Sequence, residues 1–200
     1  MAAADPSRRA QTKAANRAAI LEAGRAVFSE LGYEATTVRD IIRRTQLASG
    51  TFYNYFKSKE EVFHALHDDG VNRFRPILRQ AYELAQDRFD VFLETAYSAY
   101  FRFLQENPPP GGAEAKPDWT RVRLDTPESL ALSDELCEYL RHYAGDDGPL
   151  TGVDAEMLGA ACIGMAQELG ERMLRGRIRL EEAVAFCTSF TRGGVKAIHG

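Results

Sequence analysis

Residues 37 to 61 read TVRDIIRRTQLASGTFYNYFKSKEE, two short helical patterns separated by the turn Thr45-Gln46-Leu47-Ala48. In the second pattern Phe52 and Phe56 stand four apart and therefore share one face. On the opposite side Thr51, Asn54, Tyr55 and Ser58 follow the spacing i, i+3, i+4, i+7. That side is polar, aromatic and uncharged, and it runs into Lys57 and Lys59. Hydroxyls and amides bond base edges and phosphate oxygens, and lysines neutralise phosphates. These residue types at this spacing suit a helix that reads a groove of duplex DNA.

The elements that must position this face are legible on either side of it. A helix is expected from about Lys13 to Leu31, with Ile20, Ala23, Val27, Phe28 and Leu31 as its apolar stripe and Gly32 as its terminator. Thr37 suits the N-cap of a second helix, with Asp40 three residues on in a capping-box position. Val38, Ile41 and Ile42 then face inward and leave Arg39, Arg43 and Arg44 outside. Arg39 lies in the first turn, near where DNA would lie; for Arg43 and Arg44 a solvated face is expected. Residues 1 to 12 read as a disordered basic arm, since Ala, Pro, Ser, Arg and Gln bury no core. Arg8, Arg9, Lys13 and Arg17 have two equal readings: a tail that keeps the chain in solution, or cations that follow phosphates or enter a minor groove.

Gly50-Thr51-Phe52-Tyr53-Asn54-Tyr55-Phe56, followed by Lys57-Ser58-Lys59-Glu60-Glu61-Val62-Phe63, resembles the signature of the TetR family of bacterial transcriptional regulators. Upstream, Ala19-Ile20-Leu21-Glu22-Ala23-Gly24, Phe28, Leu31-Gly32-Tyr33 and Thr36-Thr37-Val38-Arg39-Asp40-Ile41 are similar to its first two helices. The resemblance spans residues 13 to 63; beyond that only length and helical character agree. It implies an all-α fold: a three-helix helix-turn-helix domain over residues 13–58, then a helical ligand-binding and dimerisation domain over residues 59–200. It also implies DNA contacts at Thr37, Arg39, Ser49, Gly50, Thr51, Tyr53, Asn54, Tyr55, Lys57 and Lys59, with Tyr53 and Lys59 on phosphates. The turn departs from the family pattern, which usually shows Ala-Gly-Val-Ser at positions 45 to 48. Gln46 at a left-handed position would cost on the order of 1 kcal/mol. Ala48 cannot cap the third helix, so the cap is expected to shift to Ser49.

Composition agrees with an ordinary soluble protein, 44% hydrophobic and 27% charged, with a net charge of -4. The charge is uneven. Residues 1 to 60 carry 10 Lys+Arg against 6 Asp+Glu, and residues 61 to 200 carry 15 against 23. A basic head on an acidic body is expected where only one end meets phosphate. The first residues lack the apolar core of a secretory signal, and there is no 18-residue apolar run to span a membrane, so a cytoplasmic location is expected. Cys137, Cys162 and Cys187 have no metal-ligand spacing and read as buried thiols. His64 and His67 stand three apart beside Asp68 and Asp69, but a third ligand is not identifiable and a solvated surface is the better reading. Paired Glu-x-x-His motifs, a nucleophile elbow and a phosphate loop are all missing, so no catalytic residue, cofactor or metal is assigned.

The rest of the chain reads as further helices: residues 60 to 86, with a kink or new start at Pro76, then 88 to 106, 126 to 144, 154 to 174 and 181 to 198. Residues 107 to 127 read as a long loop holding Trp119, either a pocket lid or a disordered segment. Rings cover more than one face of residues 88 to 106, so simple core explains most of them. The resemblance places a ligand pocket among such central helices, and Phe92, Tyr97, Tyr100, Phe101, Trp119 and Met165 are its candidates. Their character leans toward an apolar or aromatic small-molecule effector. In the last two helices small residues permit close approach, and Leu158, Cys162, Met165 and Leu169 form a stripe. Together with Phe186 and Phe190 these are the candidates for a homodimer interface, which the resemblance implies. Burial within one subunit is the competing reading. The expected function is a ligand-responsive homodimeric repressor on a near-palindromic operator. The alternative is a small-molecule-binding or adaptor protein whose head does not read DNA.

Overall fold

A computed structural model describes residues 6–109, 126–143 and 152–199. Over these residues the chain is all helical: α1 (Pro6–Leu31), α2 (Val38–Arg44), α3 (Ser49–Tyr53), α4 (Lys59–Ala85), α5 (Phe89–Glu106), α6 (Pro127–Tyr143), α7 (Gly152–Leu174) and α8 (Leu180–His199). They form two compact units, one built on the residues through His67 and the other starting at Asp68.

In the head unit, α1 buries Ile20, Ala23, Val27 and Phe28. It ends at Gly32, whose φ of 78° is open to glycine without strain, and the Gly32 N–H donates to the Phe28 carbonyl at 2.9 Å. Phe28, Tyr33 and Phe63 then close into a ring cluster with centroids 4.9 to 5.6 Å apart. The start of α4 packs on α1 through Val62 and Leu66, both buried. A Cβ on Gly24 would lie 2.6 Å from Val62 Cγ1, so this glycine sets how close the two helices come. The α1 start differs from expectation. Residues 6 to 12 are helical rather than a disordered arm, and the helix begins at Pro6 instead of near Lys13. Proline's fixed φ suits a helix start, and the alanines that follow extend it at little entropic cost.

The body unit is one core shared by several helices. α8 packs on α5 and α7, and α6 packs on α7. Phe92, Leu93, Tyr97 and Phe101 of α5 are buried with Phe74, Leu78, Tyr139, Met173 and Cys187. A satellite cluster holds Cys137, Leu140, Ala155, Leu158, Cys162 and Val195. All three cysteines are free and buried, and burial pushes the Cys187 thiol up to about 12. Pro76 neither kinks α4 to a stop nor restarts it: the helix is continuous through it. The ring clashes with one carbonyl and removes one bond, and the carbonyl concerned belongs to Asn72, which is exposed to water. Buried Phe74, Leu78 and Ala81 hold the helix on both sides of it.

One charged network lies inside this unit. The Glu135 carboxylate on α6 accepts from Arg75 Nε at 3.1 Å, from Arg79 at 2.9 and 3.1 Å, and from the Tyr139 hydroxyl at 2.8 Å. Its side chain is only 11% exposed. Burial pushes the Glu135 carboxyl upward, but the hydrogen bonds from Tyr139, Arg79 and Arg75 outweigh that and hold it below its ordinary value. The expected loop from 107 to 127 falls almost wholly outside the described residues, and Trp119 with it.

Candidate nucleic-acid interface

Positioning of the interface starts at Thr37. Its hydroxyl accepts from the Asp40 N–H at 3.3 Å, while the Asp40 carboxylate accepts from the Thr37 N–H at 3.0 Å, a complete capping box. The Thr37 hydroxyl also donates to that carboxylate, so its bonds hold the start of α2. Those hydrogen bonds from Thr37 keep the exposed Asp40 carboxyl below its ordinary value. Ile41 is fully buried and fixes the roll of the helix, which leaves Arg39 exposed on its first turn. Arg44 pairs with Glu30 of α1, with one N–O distance of 3.0 Å.

Thr45 is the hinge of the turn into α3. Its backbone is extended (φ -79°, ψ 154°), and its N–H donates to the Ile41 carbonyl. Its hydroxyl donates to the Ile42 carbonyl at 2.8 Å and accepts from the Leu47 N–H at 3.3 Å. A side-chain hydroxyl thus holds the turn without a left-handed residue. Gln46 is not left-handed: among the described non-glycine residues only Gln86 and Asp87 have positive φ. The expected strain at Gln46 is therefore absent. The expected cap at Ser49 is also corrected. Ala48 is the N-cap, with no side-chain bond, and Ser49 is the first residue of the helix. The reason is the extended backbone at Ala48 (φ -64°, ψ 147°), whose carbonyl accepts from Thr51 and Phe52 N–H at 2.9 and 3.2 Å. Ser49 is exposed.

Phe52 is fully buried and Phe56 nearly so, which anchors α3 on its inner side. Regular helix ends at Tyr53, but the Phe56 N–H still donates to the Phe52 carbonyl at 3.0 Å. On the outer side Gly50 and Asn54 are exposed, Tyr53 is 56% exposed, and Thr51 and Tyr55 are half-buried. Ser58, expected on this face, belongs instead to α4: its carbonyl and hydroxyl accept from the Val62 and Glu61 N–H groups. Lys57 is exposed, while its own N–H donates to the Glu61 carboxylate at 2.7 Å.

Lys59 has an internal task. Its ammonium donates to the Tyr33 and Glu34 carbonyls at 2.8 and 3.1 Å and sits 4.6 Å from the Tyr33 ring centroid. Beside it the Tyr33 hydroxyl, pushed up to about 12 by burial and by Glu60, donates to the Glu60 carboxylate at 3.3 Å. Lys59 ties the end of α1 to the start of α4, so its expected phosphate contact competes with three groups already in place.

A depression of about 550 Å³ opens beside α3, lined by Asn54 and Tyr55 on one side and by Arg8, Arg9, Thr12 and Lys13 of α1 on the other. It gives Tyr55 a neighbour that the sequence pattern of α3 alone does not show. Thr12 was not foreseen as part of the surface, because the helical start of α1 was not. At the inner end Arg17 stands 5.7 Å from the Phe56 ring centroid, a cation–π contact joining α1 to the end of α3.

The body candidates separate differently. Phe92, Tyr97 and Phe101 are buried core residues, and Tyr100 and Met165 are half-buried against them. Burial raises the Tyr97 phenol, and its hydroxyl lies 2.7 Å from Thr191 Oγ1, which joins α5 to α8. In the dimer set, Leu158 and Cys162 are buried in the satellite cluster of their own subunit, and Met165 and Leu169 are half-buried against the main core. Their stripe faces inward because α5, α6 and α8 already cover it. Phe186 and Phe190 are 56% and 55% exposed and stack on each other at 6.0 Å. Met157 and Ile198, unmarked in the sequence, are exposed as well. Spacing along α7 alone does not say whether its apolar stripe is covered within one subunit or between two. Among the described residues no three His, Cys, Asp or Glu side chains converge as a metal site, and no helix is long and apolar enough to cross a membrane.

Two features together define a class: a helix-turn-helix head with a capped first helix and an anchored, outward-facing second one, and a separate all-helical body. Residues 20–66 match the family described as bacterial regulatory proteins, tetR family. The chain is 31% identical over 91 residues to the HTH-type transcriptional repressor KstR2 of Rhodococcus jostii, covering 44% of each protein. It is 30% identical over 115 residues to the HTH-type transcriptional repressor AcnR of Corynebacterium glutamicum, 58% of this chain and 50% of that one. The match thus spans about half the length of these curated relatives. The fold of the whole is similar to that of the fatty acid degradation regulator FadR from Bacillus halodurans, with a TM-score of 0.67 and 21% identity over 92% of this chain and 95% of that one.

Proposed function

We propose that this protein is a homodimeric, ligand-responsive repressor that binds a near-palindromic operator in the cytoplasm. The observation that carries this reading is the outer side of the helix-turn-helix. Arg39, Ser49, Gly50, Tyr53, Asn54 and Lys57 are exposed there, and Thr51 and Tyr55 half-exposed, on two short helices whose roll is fixed by buried Ile41 and Phe52. A recognition helix held rigidly from behind and polar in front is what direct readout in a major groove requires. Relatives with similar sequences carry the name repressor, which supports repression over activation.

The two-fold dimer is the step that makes the operator near-palindromic, because it presents two identical heads to one face of the duplex. Exposed Met157 on α7 and exposed Phe186, Phe190 and Ile198 on α8 supply apolar surface for that contact. An effector of apolar or aromatic character would bind the body, whose central helices are rich in rings. Binding better to one state of the protein, it shifts the population toward that state, and by linkage it weakens DNA binding as much as DNA weakens its own.

Selection from a pool of randomised duplexes at two salt concentrations tests this. Enrichment of a near-palindrome whose binding weakens with salt supports the operator-binding dimer. A selected pool that stays random would leave the adaptor reading, in which the head meets protein instead of DNA.

A further inference from the structure

We infer that the N-terminal half of α1 is a second DNA-contacting element, a helical phosphate clamp formed by Arg8, Arg9 and Lys13 beside the recognition helix. This rests on the DNA-binding reading above and adds a surface that α2 and α3 do not supply.

Two observations and two physical arguments converge on it. From Pro6 to Leu21 the helix carries Arg8, Arg9, Lys13 and Arg17 and no acidic residue. Residues 8 to 19 bury almost nothing: all are exposed except Asn16, which is intermediate. Cations also sit at the end of the helix where the macrodipole is positive, so the first turns are disfavoured by their own charges. A helix that is polar all round, with no apolar face to hold it down, needs another partner. A polyanion at its start removes both objections.

The geometry places that partner. Arg9, Lys13 and Arg17 follow i, i+4, i+8 and lie along one side of the helix, with Arg8 and Thr12 beside them. Arg17 is fixed at the inner end over the Phe56 ring, 5.7 Å from its centroid. From there the row leads outward to the wall that Arg8, Arg9, Thr12 and Lys13 share with Asn54 and Tyr55. The bases contacted by α3 and the phosphates beside them would therefore meet adjoining surfaces of one unit. Within that wall the Thr12 hydroxyl donates to the Arg8 carbonyl at 2.9 Å, which leaves the cations as its outward chemistry. Because lysine and arginine on phosphates carry no sequence information, this element adds affinity and register rather than specificity.

The test is equilibrium binding of the full chain and of an Arg8→Gln/Arg9→Gln/Lys13→Gln variant to the selected operator and to a shuffled duplex across a salt series. Circular dichroism of each protein confirms that both are folded. The clamp predicts that the variant's salt slope falls by about 2 to 3, since each phosphate neutralised contributes roughly 0.9. Affinity near 0.1 M salt should drop by on the order of 100-fold for both duplexes alike, leaving their ratio unchanged. An unchanged slope in the variant overturns the clamp while the operator reading stands. A drop confined to the operator also overturns it, because the residues would then read sequence. Wild-type protein that shows no salt-dependent duplex binding would overturn both readings together.

Discussion

At the scale of single residues, the head shows how a departure from a family pattern can be absorbed by neighbouring chemistry. Gln46 stands where a glycine is usual, yet its backbone carries no positive φ, because the Thr45 hydroxyl bonds both Ile42 and Leu47 across the turn. The sequence shows the missing glycine plainly, whereas the compensating hydroxyl is visible only as one threonine among several. Gly24 is the opposite case, a residue whose small size has a single structural reason. Gly24→Ala forces a Cβ to within 2.6 Å of Val62 Cγ1, and overpacking of this kind costs about 1–3 kcal/mol. Urea denaturation should register that loss with an unchanged slope. Gln86 carries real backbone strain, with φ at 47°. Gln86→Gly should therefore stabilise the protein by about 0.5–1 kcal/mol, read as a higher thermal midpoint.

At the scale of elements, helices with strong periodicity and clear stops were readable, and partner choice was not. Thr37 with Asp40 and Thr126 begin α2 and α6, and Gly32 ends α1, as their types suggest. The Thr126 hydroxyl accepts from the Ser129 N–H at 3.2 Å, as its position before the helix implies. The boundaries that moved are those where local signals are weak: the Ala-rich start of α1 and Pro76, where tertiary packing overrides a missing hydrogen bond. The clasp of Glu135 on Arg75 and Arg79 is a further case, since it joins residues far apart in sequence. Its consequence is a pH dependence. Glu135 is held below its ordinary carboxyl value of 4.5, so its stabilising contribution is present above that value and is lost as pH falls through the depressed one. Acid titration of stability should show this loss in the native protein. Glu135→Gln should remove it, at about 1–2 kcal/mol of stability near neutral pH.

At the scale of the whole molecule, the all-helical plan was implied by the resemblance that the helix-turn-helix signature carries, whereas the division between the units falls at residues 67 and 68 rather than the expected 58 and 59. The exposed side of the helix-turn-helix was legible because its residues are local in sequence, although Ser58 and Lys59 turned out to hold the start of α4. Among the candidates for a dimer interface, Phe186 and Phe190 stay exposed, whereas only the tertiary fold shows that Leu158 and Cys162 turn into their own unit. Exposed Phe186 and Phe190 remain as the apolar surface that association would cover. Phe186→Glu/Phe190→Glu should convert a dimer to a monomer in sedimentation experiments while the helix content stays constant. The same variant should then bind the operator at least 10-fold more weakly, since a dimer couples two half-sites into one event.

The reading of α3 as the sequence-reading helix is tested most directly by the ratio of affinities for the selected operator and its shuffled counterpart at one salt concentration, in wild type and in Tyr55→Ala. Wild type should favour the operator by roughly 10³-fold or more, and Tyr55→Ala should reduce that ratio at least 10-fold. A wild-type ratio near one, or a ratio that Tyr55→Ala leaves unchanged, would contradict it.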